Sequence, residues 1–275
     1  MSRKSRKDIV GNGIETIKDL TDSFISTTYR GSITFKLEPT NDEKIVLEDC
    51  CPTKALFSDK DNSRMGLDNG KCIMCGYCNE IAPSLIEIHS RPATSAKTRN
   101  HLIEYSSPQP PSAEKAYEQI GNELKGKIQK LFGRSLAIRQ VDAGSCNGCE
   151  IEITALNNPI YDIERFGIHF VASPRHADVL LVTGPASRNM EIALKRTYDA
   201  TPTPKIVIAV GACACSGGIF RDTYATTGGI DKVIPVNVYI PGCPPRPQVL
   251  LYGIFLAIDK LHQDGQNKLK DQELR

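Results

Sequence analysis

Ten cysteines in a chain of 275 residues are the groups most able to do chemistry here. They are clustered: Cys50 and Cys51; Cys72, Cys75 and Cys78; Cys146 and Cys149; Cys213 and Cys215; and Cys243. Two stretches, KCIMCGYCNE and DAGSCNGCE, space their thiols by two residues. Such a pair can hold a metal, pass electrons as a disulfide, or fill space in a core. The formal net charge is +2, and lysine and arginine form no long run outside residues 3 to 7. That balance gives no reason to expect a nucleic acid partner. No apolar run long enough for a signal peptide follows the basic N-terminus, and no stretch of about 18 apolar residues occurs anywhere. A cytosolic chain without a membrane span is expected. In that reducing compartment a disulfide framework is disfavoured, which leaves metal ligation or redox chemistry for the clustered thiols.

The elements that must position these thiols fall into two parts. Residues 101–115, HLIEYSSPQPPSAEK, replace periodic apolar residues with serine, proline and glutamine, as a linker does. Before it, Ile9, Val10, Ile14, Ile17, Leu20 and Phe24 recur at helical spacing, so an amphipathic helix is expected over 8–27. GSITFKL and KIVLEDC read as short strands. Beyond the linker, 115–132 is expected to be helical. Candidate strands follow at 136–142, 168–173, 178–184, 205–211 and 236–242, with helices at 150–157, 187–200 and 246–262. Several of these strands are nearly continuous Val/Ile/Leu runs bounded by Gly or Pro, the pattern of strands covered on both faces in a parallel sheet. The expected fold class is therefore α/β.

In an open parallel sheet the loops after the carboxyl ends of the strands gather at one edge. Cys146 and Cys149 follow the first of these strands, Cys213 the fourth and Cys243 the fifth, so four thiols can converge. Four thiolates suit either tetrahedral zinc or a cubane iron-sulfur cluster, and spacing alone does not separate the two. Gly144 and Gly148 are expected to let the backbone approach and to turn N–H groups toward sulfur, and the prolines of PGCPPRP to stiffen the turn around Cys243.

The motifs DAGSCNGCEIE, ASPRHADVLLVTGP, GACACSGG and PGCPPRP occur in this order. Together they resemble the small subunit of membrane-associated [NiFe] hydrogenases of the formate hydrogenlyase type, itself related to a subunit of respiratory complex I. The resemblance covers nearly all of residues 135–260. It implies a flavodoxin-like sheet, with Cys146, Cys149, Cys213 and Cys243 holding a [4Fe-4S] cluster proximal to the nickel site of a separate large subunit. Complex I subunits of this kind typically carry two adjacent cysteines where this chain has Cys146-Asn-Gly-Cys149, so the gap favours the hydrogenase branch. Cys215 reads as a small buried apolar residue beside the ligand loop. Glu150 is a candidate proton relay, or simply a favourable acid in the first turn of a helix. His176 and Arg246 could tune the cluster or contact the partner, or serve ordinary surface and capping roles.

The N-terminal Cys72, Cys75 and Cys78 have the C-x₂-C-x₂-C spacing of bacterial ferredoxins, in which the next step is x₃-Cys-Pro. Here that step is Ala82-Pro83. In two-cluster ferredoxins the Cys-Pro cysteine of one motif ligates the other cluster, which makes Cys51, followed by Pro52, the fourth ligand. Cys50 is the alternative. The region thus resembles a ferredoxin domain reduced to one [4Fe-4S] cluster; a zinc knuckle is the competing reading.

The expected organisation is a basic amphipathic helix or tail (1–30), an α+β ferredoxin-like domain (31–105), a linker and helix (106–134) and the flavodoxin-like domain (135–275). The expected role is an electron relay with two [4Fe-4S] clusters. Its partners would be a [NiFe] hydrogenase-type large subunit, other subunits of a membrane complex, and a redox donor or acceptor such as a ferredoxin or a formate dehydrogenase module. No nickel-binding cysteines of the large-subunit type are recognisable, so hydrogen activation belongs to another chain. The resemblance implies a location at the inner face of the membrane, held there through partners. The alternatives are a complex I-like quinone- or sulfur-linked relay lacking nickel, and a structural zinc protein.

Overall fold

The computed structural model describes residues 28–59, 64–90, 93–106 and 117–273. The expected helix over 8–27 and most of the linker lie outside the described residues. After residue 135 the apolar runs pair as a five-stranded sheet: β6 (Leu136–Asp142), β7 (Ile168–Phe170), β8 (Val179–Thr183), β9 (Ile206–Val210) and β10 (Val238–Ile240). The order is β10-β9-β8-β6-β7, and every pairing is parallel. Counted within the domain and read from the opposite edge this is 2-1-3-4-5, the flavodoxin-like order.

Every residue of β8 and β9 is buried, as expected of strands covered on both faces. One face packs against helices α3 (Tyr117–Phe132) and α7 (Pro247–Glu273), with Leu124, Ile128, Leu250 and Ile254 meeting Ile138, Leu181 and Ile208. The other is covered by α5 (Arg188–Ala200) and α6 (Gly211–Ser216), through Leu194 and Ala214. Ala96 and Leu102 join that second core; Leu102 falls within the stretch expected as linker, whose first residues are therefore part of the folded structure.

The N-terminal part is α+β. Strand β1 (Ser32–Phe35) pairs with β4 (Ile86–His89), and β3 (Met65–Asp68) lies between β2 (Leu56–Ser58) and β5 (Ile103–Tyr105), all antiparallel. Two helices, α1 (Asn41–Cys50) and α2 (Tyr77–Ile81), complete two β-α-β halves. Here one expectation is corrected, because KIVLEDC is the body of α1 and not a strand. Thr40 caps that helix in a reciprocal box with Glu43, the Thr40 N–H donating to Glu43 Oε2 at 2.8 Å. Lys44 and Leu47 are buried three residues apart, a helical rather than an alternating period.

Residues 93–102 carry the chain from β4 across to the large domain. Ala96 and Tyr239 exchange backbone hydrogen bonds of 2.9 and 2.8 Å at the outer edge of β10. Lys97 and, from α3, Lys127 both reach Asp259 on α7, at 2.9 and 2.6 Å. Partial burial pushes this carboxyl up, but the two lysines outweigh it and hold its pKa below the usual carboxylate range. A lowered folded pKa means that the stabilisation is present above the unfolded value of about 3.9 and is lost as pH falls through the folded value. Asp259→Asn should therefore lower stability at neutral pH and flatten the acid side of the stability curve, measured by denaturant unfolding between pH 7 and pH 3. An unchanged acid slope would remove Asp259 from this role.

Candidate metal centres

All five strands of the large sheet point one way, so the segments after β6, β9 and β10 open at a single edge: Cys146 lies in the loop after β6 and Cys149 at the start of helix α4 (Gly148–Ala155), Cys213 lies on α6 directly after β9, and Cys243 follows β10. Several of these thiols stand close enough to raise a neighbour's pKa. Burial first, and then the charges of Glu150, Cys213, Cys243 and Cys146, push the Cys149 thiol far up. Burial, then Cys243, Cys146 and Glu150, push Cys213 to about 12. Burial and neighbouring charges thus raise the pKa of Cys149, Cys213 and Cys243, so each is costly to ionise without a cation beside it. Among the described residues, no group of three or more His, Cys, Asp or Glu side chains is drawn together closely enough to hold a metal ion.

The backbone leaves room for the sulfurs. Gly211 has φ +85°, and a Cβ there would lie 2.6 Å from Cys149 Sγ; one at Gly218 would lie 3.1 Å from Cys213 Sγ. These two glycines form a cradle that any side chain would fill. Both flank the ligand in VGACACSGG, but spacing alone gives neither of them a role. Gly144 has a different role from the expected one: its N–H and that of Ser145 donate to Asp142 Oδ1 at 2.8 and 2.7 Å, not toward sulfur. Its missing Cβ instead lets Ser187 approach, which would otherwise stand 2.7 Å away.

Cys215, two residues beyond Cys213 on α6, points elsewhere. Its Sγ lies 3.8 Å from the carbonyl of Ala209 and 3.6 Å from that of Ile240, and it is 1% exposed. Glu150 accepts a hydrogen bond from the Thr183 hydroxyl, while its buried Oε2 has no partner. Arg246 sits three residues after Cys243 with its guanidinium 4.9 Å from the centre of the Tyr29 ring. His176 is exposed in the turn before β8, at the opposite edge of the sheet from the thiols, so it does not touch them.

A second thiol group lies in the N-terminal domain. Cys50, Cys51, Cys72, Cys75 and Cys78 line one cavity with Ile33, Leu56 and Leu67. The Cys72–Cys78 loop is shaped by left-handed residues at Met74 (φ 55°) and Gly76 (φ 81°), and its Cys75 carbonyl accepts from Arg30. Burial raises Cys72 and Cys78 to about 12. Cys51 Sγ accepts from the Ala55 N–H at 3.1 Å. Cys50 Sγ instead donates to the Leu47 carbonyl at 3.2 Å, which requires the protonated thiol.

Counting upstream from Cys51 by the intervals of the ferredoxin motif reaches Leu47, Lys44 and Asn41. None is a metal-binding thiol, and α1 runs through all three. Leu47 is fully buried in the same core against which Ala82 packs, and Lys44 pairs with Glu38 at 3.3 Å. Non-ligating side chains thus stand at the other three ligand positions of that motif.

The two thiol groups lie within electrostatic reach of each other. After burial and Cys146, the third influence raising the pKa of Cys243 is the charge of Cys75.

Comparison with known proteins decides the family. The sequence model of the family described as NADH ubiquinone oxidoreductase, 20 Kd subunit, matches residues 146–257. The chain is 52% identical over 147 residues to "Probable membrane-bound hydrogenase subunit mbhJ" of Pyrococcus furiosus, a match covering 54% of this chain and 88% of that one. This chain belongs to the 20 Kd subunit family. It is also 50% identical over 153 residues to formate hydrogenlyase subunit 7 of Escherichia coli, covering 54% of this chain and 60% of that relative's length. A match at 51% identity over 116 residues joins it to an NADH-quinone oxidoreductase subunit of Geotalea daltonii, covering 42% of this chain and 68% of that one. The family match begins at Cys146, so the N-terminal thiol group lies outside it. Among the described residues of this family member, no helix is long and apolar enough to cross a membrane.

Proposed function

We propose that this chain is the electron-relay subunit of a membrane-associated [NiFe] hydrogenase complex. It would carry one [4Fe-4S] cluster on Cys146, Cys149, Cys213 and Cys243 and a second on Cys51, Cys72, Cys75 and Cys78, with the nickel site on a separate large subunit. The observation that carries this reading is the placement of Cys146, Cys149, Cys213 and Cys243 at one edge of the parallel sheet, with Cys51, Cys72, Cys75 and Cys78 lining one cavity of the N-terminal domain. When bound, the clusters supply one-electron redox chemistry; the protein fixes their spacing and their surroundings. Tetrahedral zinc draws its sulfurs to about 2.3 Å from one point. The C-x₂-C-x₂-C spacing of Cys72, Cys75 and Cys78, with Cys51 before Pro52, is the ligand pattern of ferredoxins, which supports a cubane over a single ion.

Cys146 and Cys243 are exposed, and so are Ile151, Ile219, Phe220 and Tyr224 on the segments that follow Cys149 and Cys213. An apolar surface of this kind beside half-open ligands supports coverage by a large partner subunit. Glu150, with its unpartnered oxygen beside the cluster ligands, is the residue we assign to proton relay toward that partner. We place the chain at the cytoplasmic face of the membrane, held by partner subunits, in line with the hydrogenase relatives.

The match to the NADH-quinone oxidoreductase relative supports a second reading, a relay in a nickel-free complex that reduces a quinone or a sulfur compound. The Cys146-Asn-Gly-Cys149 spacing and the longer matches to the hydrogenase relatives favour the first. Anaerobic purification of the intact complex with counts of iron, sulfide, zinc and nickel separates them. The expected result is about eight irons per relay chain with copurifying nickel. Iron without nickel would establish the second reading, and zinc in place of iron would exclude both.

A further inference from the structure

We infer that Arg99, held by Asp68, is a positioning residue that sets the spacing between the two thiol-bearing loops and thereby the electronic coupling between their clusters. Arg99 lies in the 93–102 segment and belongs to neither ligand set. Its terminal nitrogens donate to both oxygens of Asp68 at 2.7 Å each, and its Nε donates to the carbonyl of Cys215 at 3.1 Å. Asp68 ends β3 and is buried at 4% exposure. Its backbone carbonyl accepts from the N–H of Cys72, a ligand of the N-terminal group, at 3.1 Å. Cys215 stands two residues after Cys213, a ligand of the other group. One rigid guanidinium therefore spans from the loop of one cluster to the loop of the other, with three donors in fixed geometry.

The fit around this clamp is close. A Cβ on Gly70 would lie 2.8 Å from the guanidinium carbon of Arg99, so a side chain there would push the guanidinium aside. Gly70 N–H donates to Asp68 Oδ1 at 3.0 Å, and the Gly70 carbonyl accepts from Ser216 Oγ at 2.8 Å. That is a second tie between the same two loops. Neither Arg99 nor Asp68 follows from the cysteine motifs, since they pair across 31 residues with no shared pattern. Electron transfer and magnetic interaction between two clusters both fall steeply as their separation grows, so loosening this clamp acts on coupling without removing a ligand.

The inference rests on the two-cluster reading, and the test keeps the two apart. The full chain is purified anaerobically as wild type, Arg99→Lys, Asp68→Asn and Ser216→Ala, fully reduced, and compared by iron content and by electron paramagnetic resonance. Lysine keeps the charge but cannot hold the bidentate geometry. Expected are wild-type iron content in all variants, spin–spin broadening between the reduced clusters in the wild type, and loss of that broadening in Arg99→Lys and Asp68→Asn, with a smaller loss in Ser216→Ala. Unchanged broadening at full iron content overturns the inference and leaves the relay reading intact. A wild-type chain with fewer than two cubanes overturns both. If Arg99→Lys and Asp68→Asn lose iron, Ser216→Ala decides, because it removes one tie and leaves the clamp in place: full iron with reduced broadening supports the inference, and anything else overturns it.

Discussion

Replacing Cys213 with serine should remove one cluster and leave the other. Iron and sulfide are expected to fall by about four atoms each per chain, while the reduced N-terminal cluster keeps its signal, and electron transfer through the complex should be abolished. The neighbouring Cys215→Ser is the control that gives this test its force. Residues two apart on a helix do not share a face. Cys213 Sγ lies over Gly218 toward the other ligands, whereas Cys215 is buried against the carbonyls of Ala209 and Ile240. Burial holds the Cys215 thiol protonated, with a pKa pushed up to about 12. Cys215→Ser should therefore leave iron unchanged and lower only the stability of the fold. Full iron in Cys213→Ser, or loss of iron in Cys215→Ser alone, would overturn the assignment of the proximal ligands.

The second large effect concerns two adjacent thiols. Cys51→Ser should abolish the N-terminal cluster, with loss of about four irons, and Cys50→Ser should keep it. The structural difference lies in hydrogen-bond polarity. Cys51 Sγ receives the Ala55 N–H, which stabilises negative charge on sulfur, while Cys50 Sγ faces the Leu47 carbonyl, which repels it. Burial and the charges of Cys51 and Cys75 raise the Cys50 pKa further. Iron analysis with electron paramagnetic resonance of both variants reads the result directly. A cluster that survives in Cys51→Ser and is lost in Cys50→Ser would exchange the two assignments.

The large domain was legible because its signal is local. Uninterrupted apolar runs between glycines and prolines placed β6 over its observed span and β8 and β9 to within a residue at each end, and the parallel-sheet rule then brought four distant thiols to one edge. KIVLEDC failed for the opposite reason: a short stretch of mixed apolar and polar residues fits either period, and the deciding signal, Thr40 with Glu43, lies upstream of it. The cradle at Gly211 and Gly218 was visible only as composition, since which glycine faces sulfur depends on the loop's path. The Arg99–Asp68 clamp was not legible, because a lone arginine and a lone aspartate carry no period and meet only through the tertiary fold.

The covalent path from β4 through Ala96 and Lys97 to the edge of β10 also bears on stoichiometry. Two cofactor-binding modules on separate chains associate in proportion to their concentrations, whereas modules on one chain meet at an effective concentration in the millimolar range whatever the dilution. Here the tether is itself hydrogen-bonded to the sheet and anchored by Asp259, so little freedom remains to be lost on docking. Salt or dilution that strips peripheral subunits from an assembly would leave these two modules paired one to one.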